Sequence, residues 1–232
     1  MAANFWTSTH GTNWLLSRQA LADCRKIDRQ YVNEQDLIKV NIWFAQIITD
    51  LGRSLQVRQV IIATAITYFK RFYTKNSFRN TEPNLVAATC MYLACKIEES
   101  PQHIKAIITD MKTIMQERGE HFTYDNQKVA EMEFYLLEEL DFNMIMYNGL
   151  ALRGGAQYGD YSLTSTTSTA NDNSVAGVTT RVKDIRLWFA QLNVDLEHIS
   201  DIVQEIISLY KLWGEEDKQN EKIREILTRL LK

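Results

Sequence analysis

Leu85-Val86-Ala87-Ala88-Thr89-Cys90-Met91-Tyr92-Leu93-Ala94-Cys95-Lys96 is apolar or small around its whole circumference when wound as a helix. A helix that is hydrophobic all round is a buried one. Its Ala, Thr and Cys side chains let neighbouring helices come close. Pro83 suits the first turn of such a helix, where its missing N–H leaves no bond unmade. The segment is therefore expected at the centre of a helical bundle, with Lys96-Ile97-Glu98-Glu99 emerging at the surface.

Four amphipathic segments surround it in sequence. Leu37, Val40, Phe44, Ile47, Ile48 and Leu51 follow a helical stripe, and Gly52 is placed to end that helix. A second helix is expected from about Val57 to Tyr73, with Val57, Val60, Ile61, Thr64, Tyr68, Phe69 and Phe72 on its inner side. A further one spans His103 to Arg118, with Ile104, Ile107, Ile108, Met111, Ile114 and Met115 inward. Asp125 can cap the last, whose stripe is Val129, Met132, Leu136, Leu137 and Leu140. Together these make one compact five-helix domain.

Outside this core the signals differ. Residues 1–33 form an N-terminal helical segment in which Phe5, Trp6 and Trp14 need somewhere to bury. They pack on the chain's own body or serve as anchors for a partner. From Asn148 the chain turns rich in Gly, Ser, Thr, Asn and Ala, and residues 148–182 read as a flexible linker. Helical pattern returns over 183–232. Ile185, Trp188, Phe189 and Leu192 come first, then Leu196, Ile199, Val203, Ile206, Tyr210 and Trp213, then Ile223, Ile226, Leu227, Leu230 and Leu231. These late helices have strong apolar faces and few partners within their own segment.

Bulk properties narrow the class. Apolar residues make up 45% of the 232, enough for a packed core, and two prolines in all favour long helices. The net charge of -3 argues against non-specific nucleic-acid binding. The three cysteines, Cys24, Cys90 and Cys95, form no CxxC pair and read as reduced thiols. No stretch resembles a signal peptide or a membrane span, so a soluble cytosolic or nuclear protein is expected.

No catalytic constellation emerges. His10, His103, His121 and His198 have no second metal ligand at i+3 or i+4. No GxGxxG, P-loop or G-x-S-x-G occurs. Glu98-Glu99 and Glu138-Glu139 are adjacent on helices and point apart, as on a solvated face. No cofactor or metal is expected. Arg53, Arg58, Lys70, Arg71, Lys75 and Arg79 occur without an intervening acid, either as a solvated face with buried exceptions or as a docking surface for an acidic partner.

Several of these segments resemble the cyclin family. Val57-Arg58-Gln59-Val60-Ile61-Ile62-Ala63-Thr64-Ala65 with Tyr68-Phe69-Lys70-Arg71-Phe72-Tyr73 is similar to the second helix of a cyclin box. Leu93-Ala94-Cys95-Lys96-Ile97-Glu98-Glu99 is similar to the end of the third. Met132-Glu133-Phe134-Tyr135-Leu136-Leu137 and Leu140-Asp141-Phe142 are similar to the fifth. Lys70, where cell-cycle cyclins carry Asp, points to the transcription-associated members. Asn4-Phe5-Trp6 with His10 and Trp14, and Lys183 to Asp195, resemble the cyclin C group among them.

The resemblance implies an all-α chain: an N-terminal helix, a first cyclin box over 34–147, the linker, and the remnant of a second box with a C-terminal helix over 183–232. The early helices of that second repeat have no counterpart. It implies a non-enzymatic regulatory subunit that binds and activates the cyclin-dependent kinase of the Mediator complex, alongside other subunits of that kinase module, in the nucleus. By match to the family's motif, Lys96, Glu99, Glu133, Leu137, Phe142 and Met144 would form the kinase-binding surface. Competing readings are a nucleic-acid-binding cyclin-fold transcription factor, supported by the basic stretch, and a helical scaffold without a kinase partner.

Overall fold

The computed structural model describes residues 5–146, 196–213 and 220–231. The linker expected over 148–182 and the apolar piece from Ile185 to Leu192 lie outside the described residues. Nine α-helices are present among the described residues, with no strand. They are α1 (Thr9–Asn13), α2 (Arg18–Cys24), α3 (Glu34–Ser54), α4 (Gln59–Lys75), α5 (Pro83–Ile97), α6 (Ile104–Glu117), α7 (Asn126–Glu139), α8 (Leu196–Trp213) and α9 (Asn220–Leu231). The chain divides into two compact units, Met1–Gln157 with Glu216–Lys232, and Tyr158–Glu215.

In the first unit α5 is the hub. It packs against α3, α4, α6 and α7. Eleven of its fifteen residues are buried, in keeping with a sequence that offers no polar face. Pro83 opens it. Thr89 is tolerated at the centre because its hydroxyl donates to the Leu85 carbonyl one turn back, at 2.8 Å. Cys90 and Cys95 are buried and Cys24 exposed, all three as free thiols. Burial pushes the Cys95 thiol up to about 11 and Cys90 well above its ordinary value.

The caps follow the sequence. The Asn33 side chain accepts from the Asp36 amide at 2.7 Å and starts α3. Asp125 does the same for α7, accepting from Lys128 at 2.9 Å. One expectation is corrected. Gly52 does not end α3, which continues to Ser54. Gly52 is instead a point of close approach. A Cβ there would lie 2.4 Å from Ile62 Cγ1 of α4 and 3.2 Å from Met91 Cε of α5. Glycine is what lets three helices meet. The second helix likewise begins at Gln59 rather than Val57, with Arg58 in extended conformation ahead of it.

Aromatic rings fill the end of the core near the Phe78–Asn80 turn. Tyr73 and Phe78 stack at 3.8 Å with 6° between planes, and Phe44 and Phe69 pack at 5.0 Å beside them. Buried Asp28 secures this turn, accepting from the Ser77 hydroxyl at 2.5 Å and from the Phe78 amide at 3.5 Å.

The last helix joins the same unit. Helix α9 lies on α3 and the Phe78–Asn80 turn and buries Ile223, Ile226, Leu227 and Leu230. Arg224 fixes its register: it donates to the Arg118 carbonyl and stands 3.7 Å from Glu120. Gly119, at φ 69, leaves room for that guanidinium just past the end of α6. Arg118 in turn pairs with Asp50 of α3.

In the second unit, α8 is amphipathic, and Ile202, Val203, Ile206, Ile207, Leu209 and Tyr210 are exposed. No described helix is long and apolar enough to cross a membrane.

Candidate functional site: a paired lysine and glutamate beside an exposed apolar rim

Lys96 sits in the last turn of α5, where the helix dipole favours a cation. Its ammonium lies 2.8 and 2.9 Å from the two carboxylate oxygens of Glu133 on α7, and 4.3 Å over the ring of Tyr92 one turn earlier. Glu133 is 9% exposed, whereas the Lys96 side chain keeps 41% of its surface. Partial burial pulls the Lys96 pKa down. Its hydrogen bonds to Glu133 and Tyr92 outweigh this, and the net shift is upward. The ammonium is therefore charged, oriented and still open to a further acceptor.

Glu99 follows at φ 53, a left-handed turn that ends α5 with an exposed side chain. Next to it, Glu98 accepts from the Thr64 hydroxyl at 2.8 Å, and its carbonyl accepts from Arg58 at 2.9 Å. These contacts tie the α5 exit to α4. Of the adjacent pair, Glu99 is the solvated member and Glu98 the structural one.

The apolar candidates gather along and beyond α7. Leu137 is one turn from Glu133 and partly buried against the core, as is Met144. Phe142 is 70% exposed. It is held outward by two successive left-handed residues, Asp141 at φ 50 and Phe142 at φ 54. Such a conformation costs about 1–2 kcal/mol per residue and persists only when its surroundings enforce it. Helix α4 supplies the enforcement. Lys75 pairs with Asp141 at 2.7 Å, Arg71 donates to the Asn143 carbonyl at 3.1 Å, and the Tyr68 hydroxyl donates to the Met144 carbonyl at 2.7 Å.

Tyr68 and Arg71 are thus positioning residues that the sequence did not reveal as such. Tyr68 reads as one more inward aromatic and Arg71 as one more base in a run. Their acceptors lie more than 70 residues away. Ile145 and Phe134, 71% and 74% exposed, are apolar surface residues that the sequence reading also missed. An unusual ratio of exposure to size is their only mark, and it needs coordinates.

The N-terminal aromatics separate into two kinds. Trp14 packs on the chain's own body: Arg71 lies 4.6 Å and Lys75 5.6 Å from its ring centroid. Trp6 is 72% exposed, with Phe5 edge-on to it at 5.1 Å and partly buried.

The basic stretch is largely spoken for. Arg53 stands 3.5 Å from Asp50, and Arg58 bonds the α5 exit. Arg71 is buried, Lys75 is paired, and Arg79 covers the Tyr31 ring at 4.3 Å. These contacts scatter the charges among separate tasks. No cluster of His, Cys, Asp and Glu suited to a metal ion occurs among the described residues.

Comparison with known proteins identifies the family. The cyclin N-terminal domain matches residues 16–145. Cyclin-C of Drosophila melanogaster is 35% identical over 261 aligned positions, covering 100% of this chain and 97% of that protein. Cyclin-C of Rattus norvegicus is 34% identical, covering 95% and 88%. An RNA polymerase II holoenzyme cyclin-like subunit of Mycosarcoma maydis is 40% identical over 64% of this chain and 38% of its own length. The alignment to the fly protein spans 261 positions although this chain has 232 residues, so that relative carries residues with no counterpart here. Among solved structures, a chain of the yeast TFIIK (Kin28/Ccl1/Tfb3) complex superposes with a TM-score of 0.52 at 19% identity, over 97% of both chains. A chain of the CAK complex of Chaetomium thermophilum gives 0.55 at 17%, over 98% and 88%. The fold agrees with these structures, and the domain match and the cyclin-C relatives settle the lineage: the chain belongs to the cyclin family, and is cyclin C-like.

Proposed function

We propose that this cyclin is the regulatory subunit of a cyclin-dependent kinase of the Mediator type, which it binds and switches on, and that it thereby regulates RNA polymerase II transcription in the nucleus. The observation that carries the proposal is the Lys96–Glu133 pair, fixed in bidentate geometry at the edge of an apolar rim. A kinase of this class is inactive while its αC helix, with the Glu that pairs the ATP-binding Lys, is turned away. A cyclin that binds the turned-in form more tightly shifts the population toward it, and only that difference in affinity activates.

In this reading Lys96 and Glu133 bond polar groups around the kinase αC helix, and Glu99 adds an acceptor at the edge. Leu137, Phe142 and Met144 supply the apolar contact. Tyr68, Arg71 and Lys75 hold the 141–144 segment in its strained, outward form before the kinase arrives, so that ordering cost is not met on binding. Phe5 and Trp6 are candidate anchors for other subunits of the kinase module, while Trp14 serves internal packing. The fungal relative's name, an RNA polymerase II holoenzyme subunit, supports the transcriptional setting.

In the same reading the chain carries a linker over 148–182 and the remnant of a second cyclin box over 183–232. The first box over 34–147 carries the proposed kinase contacts, so in this reading kinase binding survives an incomplete second box, at reduced stability. The rival nucleic-acid reading draws less from the basic stretch, because Arg58, Arg71, Lys75 and Arg79 each make a separate contact within the chain. Glu133→Ala is expected to abolish co-purification of the kinase while the far-ultraviolet circular dichroism stays helical. Undiminished co-purification would remove the site assignment.

A further inference from the structure

Phe134 is a 74% exposed phenylalanine in the middle of a well-formed helix. At 100° per residue, α7 turns Val129, Glu133, Leu136 and Leu140 toward the core. Leu137 and then Phe134 step away from that buried line on the side of Glu133. Tyr135 turns the other way, where its hydroxyl meets Asn76 at 3.2 Å and its ring meets Phe72 at 5.9 Å on α4. Leu137 neighbours Glu133 at i+4 spacing and Phe134 at i+3, so the three form one strip from buried Glu133 to exposed Phe134 with Leu137 between them.

A single exposed apolar side chain is ordinary. Phe134 is distinguished by what adjoins it. The strip includes Glu133 of the Lys96 pair, and past the helix end the Phe142 amide donates to the Leu137 carbonyl at 3.1 Å, which ties exposed Phe142 to the same end of the helix. The charged residues of its own helix are mostly acidic. Helix α7 contains Glu131, Glu133, Glu138 and Glu139 against a single base, Lys128, which pairs with Glu131 at 2.9 Å. Glu138 is exposed one turn beyond Phe134. The matching surface is an apolar pocket bordered by basic side chains.

We infer that Phe134 is a specificity-determining anchor of this cyclin, inserting into an apolar, basic-rimmed pocket of its partner kinase next to the contact made by Lys96 and Glu133. The inference rests on the kinase-binding reading above and adds to it a residue to which the family resemblance assigned no role. Aromatic anchors in water-excluded pockets dominate interface energies, whereas rim charges act mainly on rate and choice of partner.

The test is equilibrium binding of the full chain to the Mediator-type kinase, with Phe134→Ala, Phe134→Leu and Glu133→Ala in parallel and thermal midpoints recorded for each. Phe134→Ala is expected to weaken binding at least tenfold with an unchanged midpoint, because the ring makes little internal contact. Phe134→Leu should retain most of the affinity. Wild-type affinity in Phe134→Ala, with binding lost in Glu133→Ala, overturns the anchor and leaves the kinase site standing. Wild-type affinity in both overturns the site and the anchor together.

Discussion

Lys96 and Glu133 lie 37 residues apart in sequence, yet the lysine ammonium is within 2.9 Å of both glutamate oxygens. With the lysine side chain 41% exposed, solvent screens the pair, and its contribution to folding is on the order of 1 kcal/mol or less. Its value to a partner is different. Once a kinase covers the pair, removing either member leaves a charge stranded in a dry interface, at roughly 3–5 kcal/mol. Single and double alanine replacements should therefore show weak coupling in urea unfolding and strong coupling in kinase affinity. Equal coupling in both would mean that the pair is structural only.

Gly52 sits where α3, α4 and α5 converge. Alanine there would gain about 1 kcal/mol in helix propensity. It would also press a methyl group into Ile62, 2.4 Å away, and overpacking of this kind costs about 1–3 kcal/mol. Gly52→Ala is expected to lower the thermal midpoint. A raised midpoint would show that Ile62 yields freely.

Leu230 of α9 is completely buried against the first unit. Leu230→Ala should cost about 2–5 kcal/mol, read as a shift in the urea midpoint at constant slope. A change under about 0.5 kcal/mol, the scale of an ordinary surface substitution, would contradict the docking of α9 on α3.

His10 is held below 6.5 by burial and then by the nearby positive charge of Arg71. The sign follows from linkage: the unfolded segment takes up the proton more readily, so stability rises with pH through the window just below 6.5 and is lost on acidification. Nuclear magnetic resonance titration should place the His10 midpoint below 6.5. Limited proteolysis near Trp14 should be faster at pH 5 than at pH 7. A midpoint at or above 6.5 would contradict the burial of His10 near the Arg71 charge.

Much of the bundle was legible in the sequence because its signals are local. The unbroken apolar run from Leu85 to Cys95 announced a central helix, and Asp125 announced the start of α7. Gly52 misled because a glycine after an apolar stripe has the same local signature whether it ends a helix or admits a neighbouring one. The choice is made by Ile62, which belongs to the next element. The stripe of α9 was equally plain, but its destination on α3 depends on contacts across more than 150 residues.

At the site the division is the same. Lys96, Glu133, Leu137 and Phe142 were reached through family resemblance, which transfers residue types at fixed spacing. Tyr68 and Arg71 could not be reached that way, since their acceptors are backbone carbonyls that carry no residue identity. Phe134 was passed over inside a matched motif, because the resemblance gave roles only to Glu133 and Leu137 there.

The most direct test is to co-express the full chain with the Mediator-type cyclin-dependent kinase, isolate the complex, and measure phosphoryl transfer against the kinase alone. The account predicts a stable complex and a rise in activity of at least a hundredfold, about 2.7 kcal/mol of barrier, removed by Glu133→Ala. A folded chain that fails to bind, or that binds and leaves the kinase inactive, would contradict it.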